Sequence, residues 1–159
     1  QEHYTQLRVQ TDSDWAGDRE TRKSTSGCTI RIGGHLIKSF SKMQPVIAKS
    51  SGEAELYAAN KGATEAIGIQ SVAQDLNIKL SIGIEIDSKA AQGTCSKRGL
   101  GTAKHIAVAD LWLQDAQRRG QLQISRVPTD RNTADLGTKE LDGNTIDKHV
   151  GELNGEWRR

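Results

Sequence analysis

The chain has 159 residues, enough for one domain with a buried core, and no composition break divides it. Hydrophobic residues make up 35% and aromatic residues only 4%, so a core has to come from Ala, Ile, Leu and Val, not from rings. Basic and acidic residues number 22 and 20, a net charge of +2 that does not by itself announce a nucleic-acid partner; any basic surface must arise by segregation. Cys28 and Cys95 lack metal-ligand spacing and read as reduced thiols of an intracellular protein. No apolar run approaches the ~18 residues of a membrane span, and the polar opening Gln1-Glu2-His3 is unlike a signal peptide. The missing initiator Met fits a domain excised from a longer chain.

In chain order, Gln6 to Thr11 reads as a first strand and 17–27 as a polar loop. Cys28, Ile30 and Ile32 alternate with Thr29 and Arg31, the period of a half-buried strand. Gly33-Gly34 signals a hairpin, because glycine accepts the positive φ of tight turns, and His35 to Ser41 returns as a third strand with Leu36, Ile37 and Phe40 as its apolar content. Ser50 and Glu53 form a capping-box pattern that opens a long Ala-rich helix to about Leu76. Ala54, Tyr57, Ala58, Ile67 and Val72 are its candidate buried positions, and Gly62 and Gly68 permit close packing on a sheet. Leu80, Ile82, Ile84 and Ile86 make the cleanest alternating strand, ending in Asp87-Ser88, with Ser88 a cap for a short helix to about Ser96. A basic loop follows at 97–101, then a helix from Lys104 to Arg119 with Trp112 in the core, stopped by Gly120. Leu122, Ile124 and Val127 form a last strand before Pro128, and Asn132 or Thr133 caps a short helix over Ala134 to Lys139. Residues 1–140 are expected as the domain and 141–159 as a C-terminal tail of uncertain order. The order β-β-β-α-β-α-α-β-α implies an α/β fold, a mixed sheet with helices on its faces.

Two acidic residues, Asp12 and Asp87, end strands; two more, Glu55 and Asp135, open helices. Ends of neighbouring strands lie ~5 Å apart, and helix starts over the same edge would bring all four together. Such an all-oxygen set suits hard divalent cations, and two ions about 4 Å apart drive in-line phosphodiester hydrolysis. Each residue also has a simpler explanation: acids at helix N-termini complement the macrodipole, and Asp87-Ser88 serves as turn and cap.

The segment from Asp12 through Gly27, with Asp12-Ser13-Asp14-Trp15-Ala16-Gly17-Asp18 at its head, resembles the start of the ribonuclease H domain of copia-type (Ty1/copia) retrotransposon polyproteins. Ser50-Ser51-Gly52-Glu53-Ala54-Glu55, Asp87-Ser88, Lys104-His105-Ile106, Val127-Pro128-Thr129 and Ala134-Asp135-Leu136-Gly137-Thr138-Lys139 match that family in order, over about residues 7–140. The resemblance implies a ribonuclease H-like fold, with a five-stranded mixed sheet, three antiparallel N-terminal strands and helices on both faces. It implies hydrolysis of the RNA strand of an RNA/DNA hybrid with two Mg²⁺ ions, Mn²⁺ substituting, held by Asp12, Glu55, Asp87 and Asp135. Asp12 would be the central ligand, Glu55 and not Glu53 the helix ligand, and Asp14 no ligand. Ala107 stands where the family commonly has an acid, Glu140 replaces a frequent proline, and the loop 129–132 carries no His.

Ser13, Trp15, Ser51, Ser88, Lys104 and Arg131 are candidates for substrate contact, among further basic residues that include Lys139. The implied partners are an RNA/DNA hybrid and the reverse transcriptase portion of the same polyprotein, without a membrane and with a monomer as the default. The implied location is intracellular, in the cytoplasm, a retrotransposon particle or the nucleus. The alternative function is a weak or inactive hybrid-binding or connection module of a polyprotein. A DNA strand-transfer relative would lack the acid at Glu55, and a thiol nucleophile at Cys28 or Cys95 has no orienting partner.

Overall fold

The computed structural model describes residues 5–96 and 112–154. β1 (Gln6–Ser13), β2 (Thr25–Ile32) and β3 (His35–Met43) are followed by α1 (Ser51–Asp75), β4 (Ser81–Ile86), α2 (Lys89–Ser96), α3 (Trp112–Arg118), β5 (Gln123–Arg126) and α4 (Gly143–Asn154). The strands form one sheet in the order β3-β2-β1-β4-β5. β1, β2 and β3 pair antiparallel, whereas β4 joins β1, and β5 joins β4, in parallel. This is the expected mixed sheet, and its central strand is the one that carries Asp12.

Side-chain alternation gives β1 two different faces. Leu7 and Val9 are buried in a core that includes Ile30, Leu56, Ile82, Ile84, Ile86, Leu113 and Leu122. α1 lies against this face through Gly62, where a Cβ would stand 2.6 Å from Thr11 Cγ2 and 3.2 Å from Val9 Cγ1. The other face is polar. Gln10, fully buried, accepts from the Thr133 amide at 3.1 Å and donates to Glu85 Oε2 at 2.8 Å and to the Arg131 carbonyl at 3.2 Å. Arg31 donates to the Glu152 carbonyl at 2.9 Å, tying α4 to the same side. Helices therefore cover both faces, one held by small apolar residues and the other by hydrogen bonds.

Several local expectations shift. β1 runs on to Ser13 and β3 to Met43, and β2 starts at Thr25 inside the expected loop. Ala54 and Ala58 are buried, Tyr57 is half-buried, and Ile67 and Val72 are exposed. The sheet-facing stripe of α1 is made of Ala59, Gly62, Ala63 and Ala66, so the branched side chains are left on the outside. A Cβ at Gly68 would meet nothing within 4 Å among the described residues, so that glycine makes no close approach to them. Leu36 and Ile37 are exposed on the edge strand β3, and Trp112 is half-buried against the core. The short helix expected near Asp135 is a 3-10 turn pair, Thr129–Arg131 and Thr133–Gly137, the second capped by Asn132 accepting from the Ala134 amide. Within 141–159 the expected tail contains α4, whose His149 and Leu153 are buried. The basic loop at 97–101 and the first part of the expected helix, with Lys104, His105 and Ala107, lie outside the described residues.

Candidate active site

The carboxylates meet at one end of the sheet because of strand direction. Thr11 is in register with Ile86 across the parallel β1–β4 pair, so the next residues, Asp12 one short of the end of β1 and Asp87 just past β4, come side by side. α1 starts above this edge. Ser50 caps it by accepting from the Glu53 amide at 3.2 Å, and two residues later Glu55 turns toward the strand ends. One oxygen each from Asp12, Glu55 and Asp87 lies within 4.8 Å of the others.

Glu55 is buried. Its Oε1 accepts from the Ser13 amide at 3.3 Å, and its Oε2 has no hydrogen-bond partner among the described residues. Burial, with the charges of Asp12 and Asp87 behind it, pushes its carboxyl up to about 9. Asp87 is raised by burial and by Asp12. Asp135 is pushed up to about 6 by burial and Asp12. An unpartnered buried carboxylate oxygen beside two more carboxylates is costly for a protein alone and is the donor set a hard cation needs. Glu53 faces differently, accepting from the Lys49 amide at 2.9 Å and from the Tyr57 hydroxyl at 2.7 Å. The structure thus separates the two glutamates as the resemblance does.

Asp135 reaches this end from the polar face. The segment that bears it is pinned by Asn132 Nδ2 donating to the Thr11 carbonyl at 3.0 Å and by Thr133 bonded to Gln10 and Thr29. It also packs closely on β2, where a Cβ on Gly27, the register partner of Asp12, would stand 2.5 Å from the Ala134 carbonyl oxygen. Asp135 stands outside that group of three and is tied to Asp12 through Lys139, whose Nζ lies 3.0 Å from Asp135 Oδ1 and 3.2 Å from Asp12 Oδ1. Thr138 Oγ1 donates to Asp12 Oδ2. In the sequence Lys139 is one of several basic candidates for substrate contact, and its i,i+4 spacing from Asp135 is the signal for a pairing with that carboxylate.

The candidate contact residues divide. Ser13 is buried and accepts from Gln44 Nε2 at 3.2 Å. Trp15 is 52% exposed, with its indole N–H on the Ala48 carbonyl at 3.1 Å, so it ties the loop after β1 to the approach to α1. Ser51 is exposed at the start of α1, Ser88 accepts from the Ala91 amide at 3.2 Å as a helix cap, and the Arg131 side chain is exposed. Asp14 accepts from the Thr25 amide and shapes the turn after β1. Cys28 is buried, and desolvation pushes its thiol up to about 12, the opposite of an activated nucleophile.

Among the described residues no helix is long and apolar enough to cross a membrane. No protein-family model matches this chain. The retrovirus-related Pol polyprotein from transposon TNT 1-94 of Nicotiana tabacum is 32% identical over 144 residues, 89% of this chain and 11% of the polyprotein. That from transposon RE1 of Arabidopsis thaliana is 32% identical over 138 residues, 85% of this chain and 9% of the polyprotein. The chain spans about a tenth of the length of these relatives. Among solved structures, LC11-RNase H1, isolated from compost by a metagenomic approach, superposes with a TM-score of 0.60 at 16% identity, over 92% of this chain and 99% of that one. The same protein in complex with an RNA/DNA hybrid gives a TM-score of 0.51 at 14% identity, over 91% and 99% of the two chains. At such identities the likeness speaks for the fold, while the sequence relatives speak for descent. The chain is a homologue of a segment of the retrovirus-related Pol polyproteins of copia-type transposons, and its fold is that of ribonuclease H.

Proposed function

We propose that this chain is a metal-dependent endoribonuclease that cleaves the RNA strand of RNA/DNA hybrids, as the ribonuclease H part of a retrotransposon reverse transcriptase. The observation that carries the reading is the cluster itself: oxygens of Asp12, Glu55 and Asp87, from three separate segments, within 4.8 Å, with Glu55 Oε2 buried and without a hydrogen-bond partner among the described residues. The ribonuclease H fold supports it, as does the hybrid bound to LC11-RNase H1.

Asp12, Glu55, Asp87 and Asp135 would hold two Mg²⁺ ions, with Mn²⁺ as a substitute. When bound, such ions activate a water and stabilise the leaving oxygen of a phosphodiester. The chain's own residues set the conditions. β1 is paired on both sides, so the backbone that carries Asp12 is held rigid at the centre of the sheet. Burial and the charges of Asp12 and Asp87 push the Glu55 carboxyl up to about 9, so without a cation the protonated form is favoured, and a bound cation would favour the carboxylate. Recognition of a hybrid rests on backbone shape and 2′-OH contacts, so cleavage without base specificity is expected.

The test is cleavage of labelled RNA/DNA hybrid, RNA duplex and DNA duplex with Mg²⁺, Mn²⁺ or chelator. Cleavage of the hybrid's RNA strand alone, lost in chelator and in Asp12→Asn, is the expected result. Cleavage that persists in Asp12→Asn would remove the assignment. Hybrid binding without any metal-dependent cleavage would favour the binding-module alternative.

A further inference from the structure

Consecutive residues of one segment engage both carboxylate oxygens of Asp12: Thr138 Oγ1 on Oδ2, and Lys139 Nζ at 3.2 Å on Oδ1. The same ammonium is 3.0 Å from Asp135 Oδ1. One monovalent cation thus bridges the strand-end carboxylate and the carboxylate that arrives from the sheet's polar face. The three side chains differ sharply in freedom. Those of Asp12 and Asp135 are 2% and 7% exposed, whereas that of Lys139 is 37% exposed. Asp12 belongs to a strand paired on both sides, while a lysine is a point charge on a flexible four-carbon stem that moves by rotamer change alone. Among the described residues Glu55 Oε2 has no hydrogen-bond partner, so Lys139 compensates only part of the cluster.

Taking the cluster as a divalent-cation site, the reading given above, we propose that Lys139 is an exchangeable internal counter-ion. Its ammonium holds Asp12 and Asp135 together in the metal-free protein and gives up Asp12 when a divalent cation enters. The two roles have one electrostatic origin. A positive charge between two carboxylates offsets the repulsion that would otherwise spread them. The same charge competes with an incoming cation for Asp12 Oδ1 and adds like-charge repulsion. Lys139 therefore acts as a positioning residue that sets how much metal the protein requires.

Isothermal titration of Mn²⁺ and Mg²⁺ into the full chain tests this, alongside thermal melts in chelator, for wild type, Lys139→Met, Lys139→Gln, Lys139→Arg and Asp12→Asn. Lys139→Met and Lys139→Gln should melt lower than wild type in chelator and bind Mn²⁺ roughly tenfold more tightly, because no ammonium has to be displaced. Lys139→Arg, which keeps the charge, should restore near wild-type affinity, and Asp12→Asn should lose the binding and so assign it to this cluster. Unchanged or weaker Mn²⁺ affinity in the Met and Gln variants would overturn the inference while leaving the metal site intact. Absence of Mn²⁺ binding in wild type and Lys139 variants alike would overturn the functional reading and this inference with it.

Discussion

The amide of Ser13 donates to Glu55 Oε1 at 3.3 Å, and the other carboxylate oxygen of Glu55 has no hydrogen-bond partner among the described residues. That single bond aims the helix glutamate at the strand-end aspartates while leaving half of its carboxylate unsatisfied in a buried setting. Such an arrangement is poor for stability and suited to a ligand. Glu55→Gln keeps an oxygen for the Ser13 amide and presents N–H donors toward Asp12 and Asp87. The metal-free variant is expected to melt about 2–4 °C above wild type at pH 8, the equivalent of roughly 1 kcal/mol in a chain of this size. Hybrid cleavage should be lost. Paired melts and cleavage assays check this, and a variant that melts lower than wild type would contradict the assigned geometry.

The pH dependence of metal-free stability follows from the same groups. Glu55 rises from 4.5 to about 9 and Asp135 from 3.8 to about 6 on folding. A raised carboxyl contributes stability that is full below its unfolded value and is lost as pH climbs through its folded value. In chelator, melting temperature should therefore fall from pH 5 to pH 9. Saturating Mg²⁺ should flatten the fall, because it binds the ionised form, and Glu55→Gln should flatten its upper part. Melts across this range in chelator and in Mg²⁺ are the measurement; parallel curves for wild type and Glu55→Gln in chelator would refute the assignment to Glu55.

Gly27 controls how closely the Asp135 segment rests on the sheet. In Gly27→Ala the new methyl would meet the Ala134 carbonyl oxygen at 2.5 Å and Thr138 Cγ2 at 2.8 Å. A backbone oxygen cannot rotate aside, so the 3-10 segment must lift. Expected are a loss of about 1–3 kcal/mol in denaturant melts and a drop in hybrid cleavage of about 100-fold, the scale of an ångström-level misplacement of a catalytic group.

Two glycines of α1 separate propensity from packing. Gly62→Ala gains helix propensity yet presses a methyl onto Thr11, Val9 and Cys28, with Cys28 Sγ at 3.3 Å. A net loss of about 1–3 kcal/mol is expected in denaturant melts. Gly68→Ala has open space, so it should stabilise the protein by up to about 1 kcal/mol. Equal effects from the two substitutions would show that α1 does not seat on the sheet through Gly62.

Much of the site was legible in the chain. The alternation of β4 ended at Asp87, the apolar-alternating start of β1 ran toward Asp12, and the capping box placed Glu55 within the first turns of a helix. Each of those positions is decided by short-range physics: side-chain period, a hairpin glycine, a cap. The resemblance points to Glu55 over Glu53, and contacts within four residues of chain occupy Glu53 with the Lys49 amide and the Tyr57 hydroxyl.

Other features had no local signature. An Ala-rich helix offers little contrast between its faces, so Ile67 and Val72 read as core until Gly62 meets Val9 and Thr11. From the sequence by itself came the elements, their mixed order and the residues able to carry the chemistry, because helix, strand and cap preferences act within a few residues. Which of those residues meet was decided only in three dimensions. Asp135 comes to the Asp12 end of the sheet because Gln10, Thr11 and Thr29 hold its segment across more than a hundred residues of chain. Lys139 becomes part of the site because that segment delivers its ammonium to Asp12. Contacts between distant segments depend on sheet order and close backbone approach, which no local pattern encodes.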